Sequence, residues 1–225
     1  MRGWVQRHIT LLVGIAVTGT IIGIGISAMT ETTTTARLTN ARQLYGLTAF
    51  GFVLTSVLIG PFIAVFPALP WKSVLLASRR AIGVSSCVIA IPHVGCYLVP
   101  TVLQNWRDLL SPGLLWVSGL VVGALALTDL SVLAWTSRDS MVQSLGGRRW
   151  KTLHRTIYIA VPLVFVHALL LGSDFGRANT PDAKGDVGAL VAFSILASAW
   201  VILASLRWRG VRWPARAIAQ GDSIS

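Results

Sequence analysis

The stretch R-R-W-K-T-L-H-R-T-I-Y-I-A-V-P-L-V-F-V-H-A-L-L-L, Arg148 to Leu171, decides the fold. A run of bases passes directly into an apolar segment, and the stretch carries two histidines, His154 near the basic end and His167 near the far end. About 20 apolar residues cross a bilayer core as a helix, and a basic flank marks the cytoplasmic end. An ionisable side chain inside such a segment is costly, so each one is a candidate functional group. A third histidine, His93, sits mid-way along another apolar segment. Imidazole is also a common axial ligand of b-type haem. Three histidines on two helices therefore point to a membrane protein that moves electrons.

Composition agrees. Of 225 residues, 54% are hydrophobic and only 12% charged, against about 25% charged in a soluble domain. The formal net charge of +11 would suit a nucleic-acid binder, but the bases flank apolar segments and leave no basic domain to grip phosphates, so no nucleic-acid partner is expected. Cys87 and Cys96 fall in one apolar segment, nine residues apart, too far along a helix for a mutual disulfide. No C-x-x-C-H occurs, which argues against covalent haem attachment.

Six apolar stretches are long enough to span: 9–29, 44–66, 81–103, 113–135, 154–172 and 187–206. With the N-terminus inside, the cytoplasmic side collects Arg2, Arg7, Lys72, Arg79, Arg80, Arg138, Arg148, Arg149, Lys151, Arg155, Arg207, Arg209, Arg212 and Arg216. The outer side has only Arg37, Arg42, Arg107, Arg177 and Lys184. This bias predicts an all-α integral membrane protein in lipid, a six-transmembrane-helix bundle with both termini cytoplasmic. Residues 136–153 read as a cytoplasmic loop rich in Ser, Gly and Arg. No G-x-G-x-x-G is present, so electrons must be delivered by another molecule.

Depth separates the histidines. Counting from the cytoplasmic ends, His93 lies ~20 Å and His167 ~24 Å up their helices, whereas His154 lies only ~5 Å up. His93 and His167 are therefore the natural pair of ligands for one haem. At the depth of His154 the third helix offers Arg79 and Arg80, poor iron ligands but good partners for propionate or phosphate. A second haem with one unidentified ligand, or His154 against a propionate, a quinol or a flavin phosphate, both stay open. An ideal helix rotates about 220° in thirteen residues, so His154 and His167 do not share a face unless Pro162 re-phases it. Asp129, an acid within an apolar segment, needs a partner or a proton.

The run L-A-W-T-S-R-D-S-M-V-Q-S-L-G-G-R-R-W-K-T-L-H-R-T-I-Y, Leu133 to Tyr158, followed by His167, resembles the ferric-reductase-like transmembrane domain superfamily. Within it the likeness is to the MsrQ family, the haem-binding membrane subunits of bacterial periplasmic methionine sulfoxide reductase systems. R-R-A-I-G at Arg79, with His93 thirteen residues after Arg80, matches the same family's third helix. The likeness divides the chain into an N-terminal helix with its Thr-rich outer loop (1–39), the haem-binding membrane domain (40–206) and a short basic tail (207–225). I-G-P-F, Ile59 to Phe62, stands where the family often carries a basic pair.

The resemblance implies a multi-pass protein of a bacterial inner membrane holding haem b, with FMN as a further cofactor in some relatives. His93 and His167 match the outer haem ligands, and His154 the inner histidine. Electrons would come from a cytoplasmic flavin reductase or a quinol and leave to a periplasmic acceptor, a molybdopterin methionine sulfoxide reductase. The candidate cofactor-binding residues are thus His93, His167, His154, Arg79, Arg80 and Arg149, the three histidines being the candidate iron ligands. A stand-alone ferric or quinone reductase is the first rival. A transporter or scaffold whose histidines bind metal or only pack is the second.

Overall fold

The computed structural model describes residues 2–109, 113–171 and 187–210. Among them every regular element is helical: α1 (Arg2–Ala28), α2 (Thr34–Val65), α3 (Lys72–Asn105), α4 (Leu114–Trp135), α5 (Asp139–Leu145), α6 (Gly147–Leu153), α7 (Ile157–Leu171) and α8 (Val187–Trp208). Single 3₁₀ turns follow α3 at Trp106–Leu109 and precede α7 at His154–Thr156. Five stretches among the described residues are long and apolar enough to cross a membrane: His8–Ala28, Thr34–Val65, Lys72–Leu109, Leu114–Trp135 and Gly147–Leu171. The helix α8 adds 22 residues, of which Ser194–Trp208 forms a shorter apolar run.

Helix starts are set by caps as well as by hydropathy. Thr33 is extended, and its hydroxyl accepts from the Ala36 N–H at 3.2 Å, satisfying one of the orphan donors at a helix start. The helix α2 therefore begins ten residues before the apolar stretch at 44–66. Arg37 and Arg42, expected in an outer loop, are helical residues. Arg37 Nε donates to the Glu31 carbonyl at 2.8 Å, and Asn40 Nδ2 donates to Glu31 Oε1 at 3.1 Å, closing the α1–α2 turn. Residues 136–153 are likewise no open loop. They form α5 and α6, joined at Gly146, whose φ of 73° suits a residue without a side chain. The outer-loop residues Asp174 to Asp186, with Arg177 and Lys184, and the tail residues Arg212, Trp213 and Arg216 lie outside the described residues.

Packing divides the bundle into two close pairs. The helix α2 lies along α3, and α4 along α7; contact between the pairs is narrower. The helix α1 covers α3 and α2, while α8 leans on α2. One apolar cluster joins Phe50, Val53, Leu54 and Val57 of α2 to Cys87, Leu130, Ala160 and Val161. A second joins Val17 and Ala28 of α1 to Tyr45, Ala49 and Ile89. Outward-facing apolar side chains such as Leu103 and Leu114 are 80% and 83% exposed, as expected where lipid is the solvent. Prolines 61, 92, 100 and 162 sit inside helices; each removes a backbone donor, which a packed membrane bundle tolerates.

The Tyr45 hydroxyl donates to the Ile21 carbonyl at 2.9 Å and ties α1 to α2. Tyr45→Phe deletes that bond with little change of shape. It is expected to cost about 1 kcal/mol, visible as a lowered Tm in detergent; an unchanged Tm would show that the bond contributes nothing net.

Candidate functional site

Between the two helix pairs lies a cavity of about 510 Å³, walled mainly by apolar side chains of α2, α3, α4 and α7. That volume is in the range of cofactor pockets. His93 of α3 and His167 of α7 both line it, with ring centroids 6.1 Å apart and planes at 84°.

Each histidine is held by the same device. His93 Nδ1 lies 2.8 Å from the carbonyl of Arg42 on α2, and His167 Nδ1 lies 2.9 Å from the carbonyl of Gly119 on α4. A carbonyl can only accept, so each Nδ1 carries the proton and each neutral ring keeps its lone pair on Nε2. Four residues after each accepting carbonyl stands a glycine, Gly46 or Gly123. A Cβ at Gly46 would lie 2.8 Å from the His93 ring, and one at Gly123 would run into the His167 ring. The carbonyl of residue i in a helix is flanked by residue i+4, so only a missing side chain there lets an imidazole reach it.

The donor set decides what could bind. Among the described residues no group of three or more His, Cys, Asp or Glu gathers around one point. A free metal ion would therefore find only two imidazoles. A group that brings its own equatorial donors fits better. Two imidazoles sharing one metal, each nitrogen ~2 Å from it, have centroids roughly 6 Å apart, close to the separation seen.

The other candidates lie elsewhere. His154 occupies the 3₁₀ turn before α7, so the ideal-helix rotation does not apply to it. Its Nε2 lies 3.1 Å from Thr136 Oγ1, and its ring stacks on Trp150 at 4.0 Å and 29°. Trp150 Nε1 in turn donates to the Thr136 carbonyl at 2.9 Å. Arg79 Nε donates to the Ser56 carbonyl at 3.1 Å, and Arg80 pairs with Asp139 at 2.6 Å. Arg149 is exposed. The structure thus brings His93 and His167 together, while His154, Arg79, Arg80 and Arg149 do not line their cavity. Asp129 accepts from Thr156 Oγ1 at 2.7 Å through Oδ1, while its Oδ2 is buried without a partner among the described residues.

Sequence reading missed Arg42, Gly46, Tyr97, Trp116 and Gly123, all of which line the cavity. One signal was legible: Gly119 and Gly123 form a G-x-x-x-G, a pattern that permits close helix approach in membranes. Gly46→Ala and Gly123→Ala are each expected to lower stability by about 1–3 kcal/mol through overpacking against the imidazole. Gly95→Ala, where a Cβ meets nothing within 4 Å, serves as the control. Equal thermal shifts for all three would sink the cradle.

Comparison with known proteins adds a family. The profile of the ferric reductase like transmembrane component matches residues 45–165. The magnetosome protein MamZ of Magnetospirillum gryphiswaldense is 35% identical over 92 residues, 41% of this chain and 14% of that protein. The protein-methionine-sulfoxide reductase heme-binding subunit MsrQ of Azospira oryzae is 32% identical over 143 residues, 63% of this chain and 57% of that protein. MsrQ of Brucella ovis is 30% identical over 128 residues, 57% of this chain and 55% of that protein. The chain thus spans little over half the length of these MsrQ relatives and a small part of MamZ. No solved structure matches.

Proposed function

The chain belongs to the ferric reductase like transmembrane component family, and on that premise we propose that it is a b-type haem protein carrying electrons across a bacterial inner membrane. The observation that carries this reading is the His93–His167 pair, 6.1 Å apart across an apolar cavity and each with Nε2 free. Haem binding is named in the MsrQ relatives. A b-type haem held by these two histidines would supply a one-electron iron couple suited to electron transfer.

The chain's own residues set the conditions. His93 and His167 would hold the haem iron. The carbonyls of Arg42 and Gly119 fix their tautomers and leave Nε2 to face the iron. Gly46 and Gly123 let the rings seat, and the apolar walls exclude water. With α8 as the sixth span, both termini lie in the cytoplasm, as the charge bias supports. The bases around Arg148 to Arg155, including Arg149, then face the electron donor, a cytoplasmic flavin reductase or a quinol. His154, Arg79 and Arg80 belong to that entry side, where the resemblance to MsrQ also leaves room for FMN or a second haem. The acceptor of this reading is a periplasmic methionine sulfoxide reductase with a molybdopterin centre; the names of the MsrQ relatives support the methionine sulfoxide reductase part of it.

The test is spectroscopic. Protein expressed with ample haem should show a reducible b-type Soret and α band. His93→Ala or His167→Ala should abolish it, whereas His154→Ala should leave it. A colourless wild type, or loss of the bands in His154→Ala alone, would overturn the assignment.

A further inference from the structure

The cavity's polar side chains collect at one end. Arg42, Gln43, Tyr97 and Trp116 line it where α1 turns into α2, while Val53, Leu127 and Leu130 line the other end. The Arg42 guanidinium carbon lies 5.7 Å from the centroid of the Tyr97 ring. Trp116 Nε1 donates to the Tyr97 hydroxyl at 2.9 Å, their rings 5.8 Å apart. The Tyr97 oxygen therefore accepts from Trp116 and keeps its own proton to donate.

Neither donor is used by another described residue. Among the described residues the guanidinium of Arg42 meets no carboxylate, and the Tyr97 O–H has no acceptor. Both residues are half-buried in membrane-spanning helices, where an arginine without a counter-charge is costly. A guanidinium and a phenol side by side, with their hydrogens unspent, match an oxyanion, and a planar carboxylate best of all.

We propose that Arg42 and Tyr97, with Trp116 orienting the phenol, form a carboxylate clamp for a haem propionate. The clamp decides which way round the macrocycle lies between His93 and His167. This rests on the haem reading and adds the cofactor's orientation. The charged edge lies toward the α1–α2 turn, and the uncharged edge packs among Val53, Leu127 and Leu130. Arg79 and Arg80, which the sequence offers as propionate or phosphate partners at the level of His154, do not line this cavity.

The experiment loads the full-length protein in detergent with haem or with haem dimethyl ester, whose propionates are uncharged, and follows transfer of the macrocycle to apomyoglobin. The wild type should release the ester ~10-fold faster than haem or more, the loss expected for a charge-assisted hydrogen bond. Arg42→Gln and Tyr97→Phe should speed release of haem but not of the ester, and Arg42→Lys should fall between wild type and Arg42→Gln. Tyr97→Phe removes only an oxygen, so it carries the comparison if Arg42→Gln does not fold. Equal release of haem and ester by the wild type would overturn the clamp alone. So would equal acceleration of both by the variants, the mark of lost packing. A wild type that takes up neither macrocycle would overturn the haem reading and the clamp with it.

Discussion

The arrangement depends on a hydrogen bond used twice: an imidazole Nδ1–H donated sideways to the carbonyl of a neighbouring helix. That carbonyl already accepts within its own helix, so the second donor must approach past the side chain four residues on. Gly46 and Gly123 open the way. The bond serves two purposes. It satisfies a donor that would be expensive to bury unpaired, and it leaves Nε2 as the only nitrogen able to take a ligand. His93 leans on α2 and His167 on α4, so each bond lies within one of the close pairs α2–α3 and α4–α7. The cavity is the space left where the two pairs meet less closely.

Much of this was legible in the sequence, and the failures have a common cause. Hydropathy located the five stretches long and apolar enough to cross a membrane, and counting rise per residue put His93 and His167 near one depth. Both readings use periodic, local information. What they could not see is where a helix begins when its first turns are polar. The cap at Thr33 starts α2 well before its apolar stretch, which turned Arg42 from an expected loop residue into a cavity residue. Nor could local pattern pair Gly46 with His93, since their proximity comes only from the packing of α2 on α3. The G-x-x-x-G of α4 is visible because both of its members lie on one helix.

His154 shows a different limit. An ideal helix places it on another face from His167, but the backbone at 154–156 is a 3₁₀ turn, so the rotation cannot be counted. The ring is stacked on Trp150 and faces the Thr136 hydroxyl, while Trp150 holds the Thr136 carbonyl. This closed set of contacts pins the α5–α6 elbow to the end of α4. A histidine so engaged must give up its contact with Thr136 before Nε2 can take another ligand. His93 and His167 face no such requirement, because their one protein hydrogen bond uses the other nitrogen. The difference between the pair and the third histidine is thus one of which nitrogen is occupied, a property that residue identity and depth do not encode.

Family membership covers part of the site. The matched region, residues 45–165, contains His93, His154, Gly46, Gly119 and Gly123, but stops short of His167 and begins after Arg42. The matched region by itself therefore leaves out His167, although the resemblance read from the sequence pairs it with His93. Geometry supplies the same partner: the ring opposite His93 is that of His167, seated by a carbonyl and a glycine that do lie within the matched region. The seat on α4 is complete before its occupant is considered. An imidazole one turn away from position 167 on α7 would miss either the Gly119 carbonyl or the gap at Gly123, since a helical turn shifts a side chain by about 5.4 Å along the axis. The position of the second ligand is in this sense written on the helix opposite to it.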